Sequence, residues 1–265
     1  MATVKEVYDY LNTKAPFYSQ LGFDNSGFLV GHGEKQVDRV LVALDITEEV
    51  VKEAAAKGAQ LIVSHHPVIW EGAKSVTDDT ILGRKLLALI ENGIAAICAH
   101  TNLDAAVGGV NDRFAARLGL IDTRLLKTYG NYEDGTPYGI EQIGFLPGEP
   151  VALADFAAEV KMKLGSNGVR YVDAGRPVHK VAVGGGSCSS SIKDVFAAGC
   201  DTFVTADVKY DGFLDAAAIG LNLIDAGHYP TENLVCPALV SWLQEEFKDV
   251  DVLLCECHKE VFNYL

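Results

Sequence analysis

The feature that most constrains this chain is a repeated pairing: a short apolar run, then an amphipathic segment that stops at glycine. "VDRVLVALD" precedes "TEEVVKEAAAKG", "AQLIVS" precedes "TILGRKLLALIENG", and "IAAICA" precedes "GVNDRFAARLG". The pairing returns as "GIEQIGFLPG" with "ALADFAAEVKMKLG", "KVAVGG" with "SSIKDVFAAG", and "DTFVTA" with "GFLDAAAIG". "LNLIDAG" then leads into "TENLVCPALVSWLQEEF", a predicted helix bent at Pro237. Apolar runs without alternation suit strands covered on both faces. Glycine at the end of an amphipathic stretch suits a helix stop. Strands alternating with helices predict an α/β fold with largely parallel strands.

The pattern lapses over residues 121–137, where apolar periodicity fails and turn residues cluster in "KTYGNYEDGTPYG". A lobe boundary is expected there. The first α/β lobe spans 1–125 and is completed by 231–265; the second spans 126–230. "RYVDA" is a further strand and "DVDVLLCEC" a closing one.

Charge and cysteine usage narrow the function classes. The formal net charge of −14 repels phosphates, which argues against nucleic-acid binding and docking to anionic membranes. No apolar run approaches the about 20 residues of a membrane span, and "MATVKEVYDYLNTK" lacks the apolar centre of a signal peptide. The six cysteines form no disulfide framework and no C-x-x-C pair, which suits free thiols in the reducing cytoplasm.

Three segments carry polar chemistry, and each begins where a predicted strand stops: "SHHP" with His65 and His66, "CAHTNLDAAVGG" with His100 and Asp104, and "DAGHYPTEN" with His228 and Glu232. Open α/β sheets form their sites outside the carboxyl ends of strands. Adjacent residues on a strand point to opposite faces. His65 and His66 therefore serve two ions, or one ion and one supporting contact, unless the backbone turns. Asp104 and Glu232 supply carboxylates of the kind that bridge two cations in hydrolytic sites. Pro230 is expected at the first position of the last helix, with Glu232 in its first turn and His228 just before it. His100 is read as a supporting group and proton relay. His32 and His179 are read as surface or loop residues.

"KVAVGGGSCSSSIKDV" is a strand, a glycine loop and a helix. The loop Gly184, Gly185, Gly186 and Ser187 is either a tight turn or a cradle for an anion or phosphate. It matches neither a P-loop nor G-x-G-x-x-G. "CECHKE", with Cys255, Cys257 and His258, reads as a packed closing strand rather than a second metal site.

Taken together, "DNSGFLVG", "LIVSHHPVIW", "AHTNLDAAVGGVND", "VAVGGGS", "TADVKY" and "DAGHYPTE" resemble the NIF-three-like family over nearly the whole chain. Its members carry the name GTP cyclohydrolase I type 2 homologues. The resemblance implies two similar α/β lobes facing each other, with a dinuclear metal site between them. It implies a toroidal homohexamer with metal sites facing an internal cavity, and a short form without the inserted domain of longer members. Carried over, it makes His65, His66, Asp104, His228 and Glu232 the ligands of two divalent ions per chain. An all-nitrogen-and-oxygen set accepts Zn, Mn, Fe, Co or Ni. Cys188 and Ala206 stand where glycine is common in the family, and Asp211 stands near a usual histidine, which bears on substrate contacts. The expected function is a metal-dependent hydrolase acting on a small-molecule nucleotide or related heterocycle. The alternative is a metal-delivery protein or scaffold without turnover.

Overall fold

The computed structural model describes residues 2–265. The chain forms two compact units: residues up to Val107 with Val235–Lys259, and Gly108–Leu234 with Glu260–Leu265. The first boundary falls earlier than the expected 125/126. Helix Val110–Leu118 sends Phe114, Ala115 and Leu118 into the second unit's core, beside Phe156, Val181 and Val183.

The first unit is built on a five-stranded sheet in the order Asp251–Leu254, Arg39–Ala43, Leu61–Ser64, Ala95–Cys98, Gly27–Val30. The first four strands are parallel and the last is antiparallel. Leu41, Ala43, Ile62 and Ala96 pack against Val50, Val51 and Ala54 of helix Glu48–Ala56 and Leu86 and Leu89 of helix Ile81–Glu91. The alternate residues Val40, Val42, Leu61, Val63 and Ile97 are buried as well. Both faces are covered, which is why these runs show no polar alternation. Thr47 and Thr80 start the two helices by accepting hydrogen bonds from the Val50 and Gly83 amides.

The second unit carries a six-stranded sheet, Arg170–Val172, Asn222–Asp225, Thr202–Thr205, Lys180–Val183, Gln142–Phe145, Ile121–Leu125. Its strands Lys180–Val183, Thr202–Thr205 and Asn222–Asp225 are mutually parallel, Arg170–Val172 and Gln142–Phe145 flank them antiparallel, and Ile121–Leu125 pairs antiparallel with Gln142–Phe145. Alternation sorts the core. Val181, Val183, Val204 and Ile224 face Phe114 and Phe156, while Ala182, Phe203 and Leu223 face Ile192, Val195 and Ala216.

Three expectations change. Ile121–Leu125 is a strand in the stretch where periodicity failed; as an edge strand with mostly exposed side chains it has no buried face to reveal it. The predicted bent helix is three pieces, His228–Glu232, a 3-10 turn Asn233–Val235, and Cys236–Glu246. Pro237 is near the start of the last piece, where its missing amide costs no helical hydrogen bond. The closing strand ends at Leu254; the Cys255 amide still donates to Val42 O at 2.8 Å, and Cys257 lies beyond the ladder. Among the described residues, no helix is long and apolar enough to cross a membrane.

Candidate metal centre

In the first unit the polar groups stand at the carboxyl ends of the parallel strands. Past Ser64, the His65 and His66 amides donate to Ala43 O at 3.3 Å and Leu44 O at 2.9 Å. The Ser64 hydroxyl donates to His66 O at 2.8 Å, closing a bend. Because the strand has ended, both rings turn toward one place. The His65 and His66 ring centroids are 4.9 Å apart, and His100 lies 5.1 Å and 5.4 Å from them. Each of the three offers a ring nitrogen within 4.8 Å of the others. Asp104 sits on the short helix Thr101–Ala105, with its Oδ1 3.6 Å from His65 Nε2.

Each ring is held through Nδ1. His65 Nδ1 meets Ala99 O at 2.9 Å, His66 Nδ1 meets Asp45 Oδ1 at 2.8 Å, and His100 Nδ1 meets Asp24 Oδ1 at 2.8 Å. An oxygen acceptor at Nδ1 assigns the proton there and directs the Nε2 lone pair outward, the usual arrangement behind a metal-ligating histidine. Burial would raise the Asp24 carboxyl pKa. Hydrogen bonds from His100, Thr101 and Ser26 outweigh burial and hold it well below the usual carboxylate range. Asp45 is shared, since its Oδ2 lies 3.3 Å from His258 Nε2.

The second unit repeats the device. Asp207 lies just past strand Thr202–Thr205 and Gly227 just past Asn222–Asp225. Gly227, at φ +89°, starts the helix His228–Glu232. His228 and Glu232 are therefore the first and last residues of one turn, with Pro230 in its middle, not the arrangement expected from the proline. His228 Nδ1 meets Asp207 Oδ2 at 2.7 Å, and Nε2 meets Glu232 Oε2 at 2.9 Å. Burial opposes the imidazolium, but hydrogen bonds to Asp207 and Glu232 push the His228 pKa up to about 11. The proton between His228 and Glu232 occupies the position in which a cation would meet both.

The glycine loop serves this pair rather than an anion. The Gly184, Gly185 and Gly186 amides donate to Val204 O, Asn111 Oδ1 and Thr231 Oγ1 at 3.0, 2.8 and 3.0 Å. Their hydrogens are spent inside the protein, so Gly184, Gly185 and Gly186 offer no free amide to a phosphate. A Cβ on Gly186 would stand 2.0 Å from Glu232 Oε1 and 3.2 Å from His228 Nε2. The loop closes so tightly on the two donors that a side chain at this left-handed position would have to displace Glu232.

The donors are imidazoles and carboxylates with Nδ1 already tethered, and they fit a borderline divalent cation such as Zn, Mn, Fe, Co or Ni. The tethering acids Asp24, Asp45 and Asp207 were missed as functional residues. Asp45 and Asp207 end or directly follow apolar runs, so the strand-end rule that selected the histidines would have found them. His32 lies in a turn; His179 packs its ring 5.5 Å from that of Phe145.

Residues 2–260 match the model of the Duf34/NIF3 (NGG1p interacting factor 3) family. A Clostridium perfringens protein named "GTP cyclohydrolase 1 type 2 homolog" is 33% identical over 99% of both chains. A Helicobacter pylori protein named "GTP cyclohydrolase 1 type 2" is 32% identical over 88% of each. The crystal structure of a Bacillus cereus protein related to NIF3 superposes with a TM-score of 0.92 at 27% identity, covering 100% of this chain and 99% of that one. On its sequence and its fold alike, the chain belongs to the Duf34/NIF3 family.

Proposed function

We propose that this protein is a metal-dependent hydrolase using two divalent cations per chain, with His65, His66, Asp104, His228 and Glu232 as ligands. The observation that supports this is the shared tether: His65, His66, His100 and His228 each have Nδ1 held by an oxygen of the protein. Such a pattern orients Nε2 and raises its basicity before any ion arrives. When bound, two cations lower the pKa of water and polarise a substrate oxygen. Asp45 and Asp207 keep His66 and His228 in the ligating tautomer. His100, steadied by Asp24 beside His65 and His66, is placed to carry a proton.

A nucleotide or related heterocycle is the substrate class we favour. Trp70 packs on His100 at 5.4 Å and Phe23 lies 6.1 Å from Trp70, yet the two are 49% and 65% exposed. Exposed aromatic faces beside histidines offer a surface on which a planar ring can stack. The name of the Helicobacter pylori relative, "GTP cyclohydrolase 1 type 2", points the same way. A metal-delivery protein without turnover is the second reading, favoured by the glycine loop, in which the Gly184, Gly185 and Gly186 amides are bonded internally rather than offered to a substrate phosphate.

The test is metal content per chain after purification without chelator or affinity tag, beside His65→Ala, followed by turnover of nucleotides in the parent and in Glu232→Gln. About two equivalents in the parent, falling in His65→Ala, support the centre; no metal retained or restored on addition overturns it. Turnover lost in Glu232→Gln supports a hydrolase, whereas metal exchange without consumption of any nucleotide supports delivery. The homohexamer implied by the family resemblance is checked on the same sample by native mass measurement.

A further inference from the structure

A second cluster of donors stands where the closing strand leaves the first unit's sheet. Cys255 and Cys257 follow strand Asp251–Leu254, and both converge on Glu53 of helix Glu48–Ala56. Cys255 Sγ donates to Glu53 Oε2 at 3.0 Å, and the two sulfurs are 3.6 Å apart. The Glu256 amide meets Glu53 Oε1 at 3.0 Å, and the Cys257 amide meets Oε2 at 2.9 Å. Lys57 holds Oε1 at 2.7 Å and reaches Glu256 at 3.1 Å. The carboxylate is thus fixed from one side by an ammonium, and its other oxygen is turned to the sulfurs.

From this we infer that Glu53, Cys255 and Cys257 form a thiolate site for a thiophilic divalent cation such as zinc or cadmium, separate from the histidine–carboxylate donors. The dimensions support it. Two Zn–S bonds of about 2.3 Å at a tetrahedral angle hold their sulfurs about 3.8 Å apart, against 3.6 Å here. The three donor atoms already lie within 4.8 Å of one another. Anchoring the chain end would require only the backbone amides on Glu53. It does not require the two sulfurs and a carboxylate oxygen to gather within 4.8 Å of one another. Glu53 is fixed in place, with a side chain only 11% exposed, while Cys257 is exposed, so an ion has a preformed floor and an open path. Three protein ligands leave one position for water or an incoming ligand.

The test is titration of the full chain with Cd²⁺ under a phosphine reductant, reading the near-ultraviolet band of thiolate-to-cadmium charge transfer. Imidazoles and carboxylates give no such band, so it reports on this site whether or not the histidine centre holds metal. Of the other thiols, Cys98, Cys200 and Cys236 are buried, and half-buried Cys188, whose Sγ donates to Gly185 O at 3.3 Å, is controlled by the Cys255→Ser and Cys257→Ser variants. The expected result is a band that saturates at one equivalent, persists in His65→Ala, and is lost in Cys255→Ser and in Cys257→Ser. Glu53→Gln should retain the band with weaker affinity. Circular dichroism confirms that each variant is folded. No band in the folded, reduced parent, or a band that survives in the Cys255→Ser/Cys257→Ser double variant, overturns the inference.

Discussion

Gly186 and Glu232 are fitted to within one carbon of each other: a Cβ on the glycine would lie 2.0 Å from the carboxylate oxygen Oε1. The glycine is also left-handed, at φ +60°. Gly186→Ala therefore meets two penalties at once, about 1–2 kcal/mol for the backbone and the displacement of Glu232. Melting should fall by several degrees, and retained metal should drop. A thermal scan and metal analysis of one preparation check both; parental values in the variant would mean that the loop has slack.

Asp45 and Asp207 meet the candidate ligands at Nδ1 of His66 and of His228. Asp45→Asn and Asp207→Asn keep size and shape but weaken the tether. Metal affinity should fall about 10–100-fold with the fold intact. Competition with a chelator of known strength measures this. Unchanged affinity in both variants would remove the tether from the mechanism.

Asp24 supplies an acid-sensitive contribution to stability. Its carboxyl is held below the unfolded value of 3.8 by His100, Thr101 and Ser26 against the opposing effect of burial. A depressed carboxylate stabilises the fold fully above its unfolded pKa, and that contribution is lost as pH falls toward the folded one. Denaturant midpoints should decline below about pH 4, and Asp24→Asn should be less stable at pH 7 with a shallower acid slope. Parallel acid profiles for parent and variant would count against it.

Stacking on Trp70 and Phe23 predicts a split between binding and chemistry. Aromatic stacking is worth about 1–3 kcal/mol per base. Trp70→Ala should raise KM for an active heterocycle by between about fivefold and a hundredfold while leaving metal content as in the parent. A fall in kcat with unchanged KM would instead place Trp70 in the support of His100.

Much of the fold and the candidate donors was legible because one rule served both. Runs such as "LIVS" and "DTFVTA" lie in the middle of their sheets, buried on both faces, so their apolar composition marks them and their ends mark the site. Ile121–Leu125 was illegible for the opposite reason, since an exposed edge strand carries no apolar signature. The boundary at Val107 was hidden because "GVNDRFAARLG" looks alike whichever core receives it. The role of Gly186 depends on Thr231 and Glu232, 45 and 46 positions away along the chain, and on amides whose partners no local pattern specifies. The convergence of Cys255 and Cys257 on Glu53 likewise spans more than 200 positions.

The first unit's sheet begins early in the chain and ends late. Arg39 pairs with Asp251 across 212 positions, whereas the second unit's six strands are all complete by Asp225. During synthesis the second unit can close while the first still lacks its last strand. Until Asp251–Leu254 arrives, Arg39–Ala43 presents a row of unpaired amides and carbonyls flanked by Val40 and Val42. Open edges of this kind recruit other chains. The final strand is therefore also a closure against self-association, and chains truncated before residue 251 should aggregate rather than yield a smaller folded protein.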